Sequence, residues 1–273
     1  MSTFAGLRDP HHCGASPIWY YFSMAQLRRL LLIAALCVAA VAVRAETTQV
    51  RIGATHNMLA TVIAPDGPGP YPAVLVLHTS RNLGHYEFEY AQRLVDAGYV
   101  TLLPAFMDAY KISSGARYAS FSTYRDRIYA DLANGVDWLR TTPKVAGQKV
   151  GAVGFSNGGY WAVTLAATGK VAAGVTYYGV LSGMEGGIRD HFKEVITSKS
   201  SPILILHGEE DRDQKVQGAR FLNRLLTRRG VPHETHIYPS THHDFDRSGE
   251  NPAAADDAWQ RTLAFFAMHL KHP

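Results

Sequence analysis

Residues 73–78 read AVLVLH, an apolar run that is unbroken until its last position and follows the turn-rich Pro65-Asp66-Gly67-Pro68-Gly69-Pro70. Runs of this length and composition belong to strands covered on both faces. Further strands are expected at 99–103, 149–153, 171–177, 202–207 and 233–238, and two short ones at 49–54 and 58–64. Between them lie stretches with helical spacing. Residues 86–97 end at Gly98, and 214–229 end at Gly230, each a residue suited to closing a helix. Residues 123–140 set Ile128, Leu132, Val136 and Leu139 on one face, 158–168 follow the strand expected at 149–153, and 253–270 close the chain. Residues 106–122 are polar and irregular. Strands alternating with helices predict an α/β fold: a mostly parallel central sheet of about seven or eight strands, helices on both faces and right-handed crossovers. No repeat or linker divides residues 46–273, which are read as one domain.

The first 45 residues have a different character. Residues 30–43, LLLIAALCVAAVAV, follow Arg28 and Arg29 and precede Ala45, a small residue at a cleavage position. A basic start, a short apolar centre and a small-residue end describe an export signal. The run is shorter than the ~20 residues of a membrane span. We therefore expect a signal peptide at 24–45, cleaved after Ala45, an upstream extension at 1–23 from a misplaced start codon, and a periplasmic or secreted product without a stable membrane anchor. An uncleaved anchor and lipidation at Cys37 are the alternatives, the second opposed by the bulky Leu36. Setting this segment aside changes the charge reading. The chain carries +4 overall, but Arg8, Arg28, Arg29 and Arg44 against Asp9 leave 23 basic and 22 acidic residues in the remainder. No basic surface for nucleic acid is implied. Both cysteines, Cys13 and Cys37, also lie in the leader, so the rest has neither disulfide nor thiol nucleophile.

Three short segments carry candidate chemistry, each following an expected strand. Gly154-Phe155-Ser156-Asn157-Gly158-Gly159 has the G-x-S-x-G spacing of a strand-to-helix turn that exposes a serine. The Asn157 amide would then point into the site from the helix start. An ordinary glycine-rich turn with a surface serine is the plainer reading. Neither G-x-G-x-x-G nor a phosphate loop is present. His207-Gly208-Glu209-Glu210-Asp211-Arg212-Asp213 offers Asp211, with Asp213 and Glu210 as competitors, to orient a histidine. Tyr238-Pro239-Ser240-Thr241-His242-His243-Asp244-Phe245 offers His242 or His243 as a base. A metal site on these histidines and Asp244 is disfavoured, because neighbours on one loop rarely converge on one ion. The order serine, acid, histidine is that of one hydrolase class among the three known chain orders.

Together these segments resemble the dienelactone hydrolase family, of the α/β-hydrolase superfamily, over nearly the whole of residues 46–273. The 73–78 strand, Leu94-Val-Asp-Ala-Gly-Tyr99, the G-x-S-x-G-G turn, Val175-Thr-Tyr-Tyr-Gly179, Gly208-Glu-Glu-Asp211 and the 238–245 loop are all similar to family segments. The resemblance selects His243 over His242, because His243 stands two before Phe245, and Asp211 over Asp213. It implies a serine hydrolase of carboxylic esters or lactones in which Ser156 forms an acyl-enzyme, with no cofactor and no metal. The oxyanion would be held by the Asn157 and Ser80 amides. The chain departs from founding members in having serine in place of their cysteine nucleophile. It also has Thr79 where they carry a glutamate. Arg247 falls where family members place a carboxylate-binding arginine, and pairing with Asp244 or Asp246 is its other reading. Arg81 and Tyr124 are further candidates for substrate contact, alongside Tyr110, Tyr118, Phe121 and His85, with packing or solvent exposure as their alternatives. A non-catalytic binding protein, a peptidase and an acyltransferase are the rival functions. Oligomeric state is left open.

Overall fold

Among the described residues, the run at 73–78 forms the third of eight strands joined in a single sheet. In a computed structural model, residues 45–183 and 187–271 are described. The expectations about the leader fall on residues 1–44 and lie outside them. In chain order the elements are β1 (Glu46–Ile52), β2 (Met58–Ala64), β3 (Ala73–Leu77), α1 (His85–Asp96), β4 (Val100–Pro104) and α2 (Phe106–Ala109). A 3₁₀ segment (Ser114–Phe121), α3 (Arg125–Thr141), β5 (Val150–Phe155), α4 (Asn157–Ala167), β6 (Ala173–Tyr177) and α5 (Ile188–Val195) follow. The chain continues through β7 (Ile203–Gly208), α6 (Gln217–Arg229), β8 (His233–Tyr238) and α7 (Pro252–Leu270).

The sheet order is β1-β2-β4-β3-β5-β6-β7-β8. β1, β2 and β4 pair antiparallel, and every pair from β4 to β8 is parallel. Alternation along β3 divides its burial between two cores. Ala73, Leu75 and Leu77 join α3, α4 and α6 on one face, while Val74 and Val76 join α1 and α7 on the other. All five residues of β3 are buried, which is why its sequence is apolar throughout rather than alternating. The predicted stripe of α3 is buried in full at Ile128, Leu132, Val136 and Leu139. Gly98 and Gly230 close α1 and α6 in left-handed conformations, φ +84° and +69°. Because β4 lies on one side of β3 and β5 on the other, the connections leave β3 in opposite directions. That opens a crevice at the carboxyl ends of β3 and β5.

Two elements differ from the sequence reading. α5 was not anticipated, because its eight residues carry only Ile188 and Phe192 as buried anchors, too short a stripe to stand out as a period. α6 begins at Gln217, not 214, because the Gln214 backbone is held in the loop after β7 by His207 and Asp211. The irregular 106–122 stretch contains two short helical turns, in which Phe106, Met107, Ser120 and Phe121 are buried. Among the described residues no helix is long and apolar enough to cross a membrane.

One carboxylate ties the turn of the β1–β2 hairpin to α3. Asp131 on α3 is completely buried and accepts from the Thr55 amide at 2.6 Å, the His56 amide at 3.2 Å and the Tyr110 hydroxyl at 2.6 Å.

Candidate active site

Ser156 sits between β5 and α4 with φ 51° and ψ −107°, a conformation that L-residues adopt only when the surroundings enforce it. The enforcement is steric and visible at two glycines. A Cβ on Gly154 would lie 2.0 Å from the Gly158 carbonyl oxygen, and one on Gly158 would lie 2.0 Å from that of Leu77. The second contact presses the start of α4 against the end of β3. The Ser156 amide donates to the Tyr177 carbonyl at 3.0 Å, and the Val180 amide donates to the Ser156 carbonyl at 3.0 Å. The turn is thus held from β6 as well. Asn157 opens α4, where amides lack intrahelical acceptors and the helix dipole is positive.

Asp211 and His243 meet from adjacent strand ends. Asp211 follows β7 and His243 follows β8, and His243 Nδ1 stands 2.7 Å from Asp211 Oδ2. The other carboxylate oxygen accepts the Asp213 and Gln214 amides at 2.9 and 2.8 Å. The Asp211 side chain has no solvent exposure, and the His243 ring keeps 14%. Tyr178 covers that ring with a centroid separation of 4.5 Å. His242 turns away toward Glu210 and Glu250, at 3.5 and 3.4 Å.

Ser156 and His243 line one cavity of about 230 Å³, together with Thr79, Ser80, Arg81, Arg117, Asp213, Gln214 and Asp244. Ser80 and Ser156 therefore come together across the β3–β5 crevice. Thr79 is buried, and its hydroxyl accepts the Arg81 amide at 3.2 Å, which curls the loop after β3. Among the described residues no cluster of three or more metal-ligating side chains occurs.

Other sequence candidates lie elsewhere. Arg247 does not line the Ser156 cavity. It is 18% exposed and lies over the Tyr86 ring, 3.8 Å from its centroid; it donates to the Tyr178 hydroxyl at 3.1 Å and to Glu87 at 3.4 Å. Glu87 also accepts the Gly84 amide with its other oxygen, so it caps α1 and holds Arg247 at once. Asp246 accepts from the hydroxyls of Tyr86 and Tyr178. Burial raises the Asp246 carboxyl above the ordinary range, against the opposing pull of Arg247 and the two phenols. Tyr178 is pushed well up by burial and by Asp246, so it remains a phenol and a donor. Tyr124 packs on Tyr110 at 5.3 Å, half-buried at the head of α3 and outside the cavity. Phe121 and Tyr110 are core residues. Arg117 and Tyr178 belong to the site and were not singled out from sequence. Arg117 arrives on the 3₁₀ segment, whose position no local pattern announces.

At the end of β3, His78 is buried against Phe106 in a stacked pair 3.9 Å apart. Burial pushes its pKa down from 6.5 to about 4, against a hydrogen bond from Nδ1 to the Thr79 carbonyl. The folded state binds this proton less well than the unfolded chain. The His78 contribution to stability is therefore full above pH 6.5, falls as pH drops, and levels off near pH 4. Urea unfolding at pH 7 and pH 4 should show wild type losing about 3 kcal/mol more than His78→Gln between the two. Equal losses would contradict a neutral buried His78.

The profile of the dienelactone hydrolase family matches residues 58–270. A Synechocystis sp. relative, provisionally named a carboxymethylenebutenolidase, is 27% identical over 243 residues, covering 83% of this chain and 98% of its own. A Bradyrhizobium sp. relative, provisionally named a 2-oxo-3-(5-oxofuran-2-ylidene)propanoate lactonase, is 29% identical over 235 residues, covering 79% and 91%. The crystal structure of dienelactone hydrolase from Anabaena variabilis superposes with a TM-score of 0.61 at 22% identity, over 84% of this chain and 99% of that one. With the profile running from β2 to the end of α7, the chain belongs to the dienelactone hydrolase family of carboxylic ester hydrolases.

Proposed function

We propose that the protein hydrolyses carboxylic esters or lactones through an acyl-enzyme on Ser156. The observation that carries this reading is one cavity shared by Ser156 and by His243, whose other ring nitrogen is bonded to a buried carboxylate. Asp211 accepts from His243 Nδ1–H, which leaves Nε2 as the basic nitrogen facing the cavity. His243 Nε2 takes the Ser156 proton as Oγ bonds to the ester carbonyl carbon. The resulting oxyanion is held by the Asn157 amide at the head of α4 and the Ser80 amide from the loop after β3. His243 then gives its proton to the leaving alkoxide; in a lactone that alcohol stays tethered to the acyl group. Water, deprotonated by the same nitrogen, releases the acid and restores Ser156.

The cavity lining offers two cationic groups for an anionic substrate, with Asp213 and Asp244 also on its wall. Arg81 and Arg117 both line it, whereas Arg247 is engaged by Glu87 and Tyr178 outside it. The Bradyrhizobium relative's name, a lactone of a propanoate, is consistent with a lactone bearing a carboxylate. We expect Arg117→Ala to raise KM for a carboxylate-bearing ester about ten-fold while changing KM for its neutral methyl ester less than two-fold. Equal effects on both esters would remove Arg117 from anion recognition.

A fluorophosphonate probe tests the nucleophile directly. Native protein should be labelled at Ser156, and heat-unfolded protein should not. Absence of labelling in folded protein would favour a binding protein on a hydrolase fold. Parallel assays on esters, lactones and amides separate ester hydrolysis from peptidase activity.

A further inference from the structure

A second imidazole stands behind Asp211, and the proposed reaction does not use it. His207, on β7, has no solvent exposure. Its Nε2 lies 2.5 Å from the Gln214 carbonyl oxygen and 3.4 Å from Asp211 Oδ2. Its Nδ1 is buried with no hydrogen-bond partner. Both neighbours of Nε2 only accept, so the neutral ring carries its one proton there and Nδ1 carries none. A second proton on Nδ1 would be buried without an acceptor. Burial also holds the His207 pKa below its ordinary value.

The Gln214 residue connects this ring to the carboxylate. Its carbonyl accepts from His207, while its amide and that of Asp213 donate to Asp211 Oδ1 at 2.8 and 2.9 Å. His207 therefore anchors the far end of the turn whose amides grip one carboxylate oxygen. The other oxygen is left to His243 at 2.7 Å.

We propose that His207 is a positioning residue whose Nε2–H locks the 211–214 turn, so that Asp211 presents Oδ2 to His243. The neutral ring adds no positive charge beside Asp211, so the carboxylate is available to stabilise the His243 imidazolium. This rests on the Ser156–His243–Asp211 reading above. Asp211 and His243 are the charged or titratable groups that act on His207. His243 is faced by Asp211, by Asp244 at 3.9 Å from Nε2 and by the Tyr178 ring, with Arg247 beyond the Tyr178 hydroxyl. Of these, substitution at 207 displaces only Asp211; Asp244, Tyr178 and Arg247 keep their places.

The experiment is the pH dependence of kcat and kcat/KM on a small activated ester for wild type, His207→Leu and His207→Gln. Without the anchor Asp211 swings off His243, and the imidazolium loses its nearest negative charge. His207→Leu should lower kcat about ten-fold or more, with KM within about two-fold, and move the acid limb about half a pH unit or more downward. His207→Gln, whose amide N–H can reach the same carbonyl, should recover most of kcat and return the limb. A folded His207→Leu protein with wild-type kcat, or with a limb that stays or moves up, overturns the proposal. Should that variant not fold, histidine-selective ¹⁵N NMR of the unmodified protein decides. A neutral Nε2–H ring at His207 at about pH 7 is expected, and an Nδ1–H tautomer or a charged ring at that pH overturns it. Hydrolysis that survives Ser156→Ala would defeat the underlying reaction and leave the tautomer result unaffected, so the two failures are distinguishable.

Discussion

Ser156→Ala is expected to lower kcat on a small activated ester by about 10⁴-fold or more and to abolish fluorophosphonate labelling. The size of the loss follows from what the side chain would do. Removing Oγ removes the atom that bonds to the carbonyl carbon; the lining holds no thiol, and its other hydroxyls, Thr79 and Ser80, lie on the loop after β3 and not at the strained turn. Both cysteines of the chain, Cys13 and Cys37, precede residue 46. A small residual rate would reflect the oxyanion donors acting on bound water. Hydrolysis within about ten-fold of wild type would require a different nucleophile and end the proposal. The same position also tests the strain. At φ 51° glycine is unhindered where serine is not, so Ser156→Gly should be inactive yet more stable by about 1 kcal/mol in urea unfolding. A gain of this kind would show that the turn is held against its own preference by Gly154, Gly158 and their neighbours. A loss of stability would mean the conformation costs little.

Asp131→Ala should lower unfolding free energy by about 4 kcal/mol, with Asp131→Asn losing less. The wild-type carboxylate satisfies two amides of the 55–56 turn and the Tyr110 hydroxyl at a site without solvent. Alanine removes the acceptor shared by those donors, of which the Tyr110 hydroxyl is buried, and opens a small void beside α3. Asparagine restores one accepting oxygen and places an amide near a donor. Urea midpoints for the two variants measure the difference. Since Asp131 does not line the Ser156 cavity, kcat of the folded protein should stay close to wild type. A loss below about 1 kcal/mol would show that the β1–β2 hairpin is held by its pairing with β4 and by contacts such as Gly53 to Asn134 rather than by Asp131.

Asp131 also marks where sequence reading stops. The helix around it was legible, because Ile128, Leu132, Val136 and Leu139 repeat at the helical period and are buried together. Asp131 falls on the same buried side, yet a lone aspartate in a helix carries no sign of partners 75 residues away. The Gly154–Gly159 turn is a contrary case. Its glycines are spaced by the approach of α4 to β3 and β5, so a local constraint left a local signature. Asp211 and His243 were readable as loop positions for a similar reason: Asp211 follows β7, buried throughout, and His243 follows β8, whose last residue Tyr238 is buried.

From its sequence alone this chain is an α/β protein with a mostly parallel sheet, and its serine, acid and histidine loops stand in order at strand ends. Apolar runs, helical periods and turn glycines are short-range consequences of burial, so they survive in the one-dimensional record. The partners of long polar side chains are not recorded there. Arg247 lies four residues from His243, but the packing of α1 against the 244–247 turn brings Glu87 and Tyr86 to it, and it is engaged outside the Ser156 cavity. Arg117 reaches that cavity from a segment with no pattern at all. His207 meets Asp211 only because the chain folds back at Gln214. Which charges surround Ser156 depends on distances between separate elements, and those exist only once the two cores have closed on the sheet.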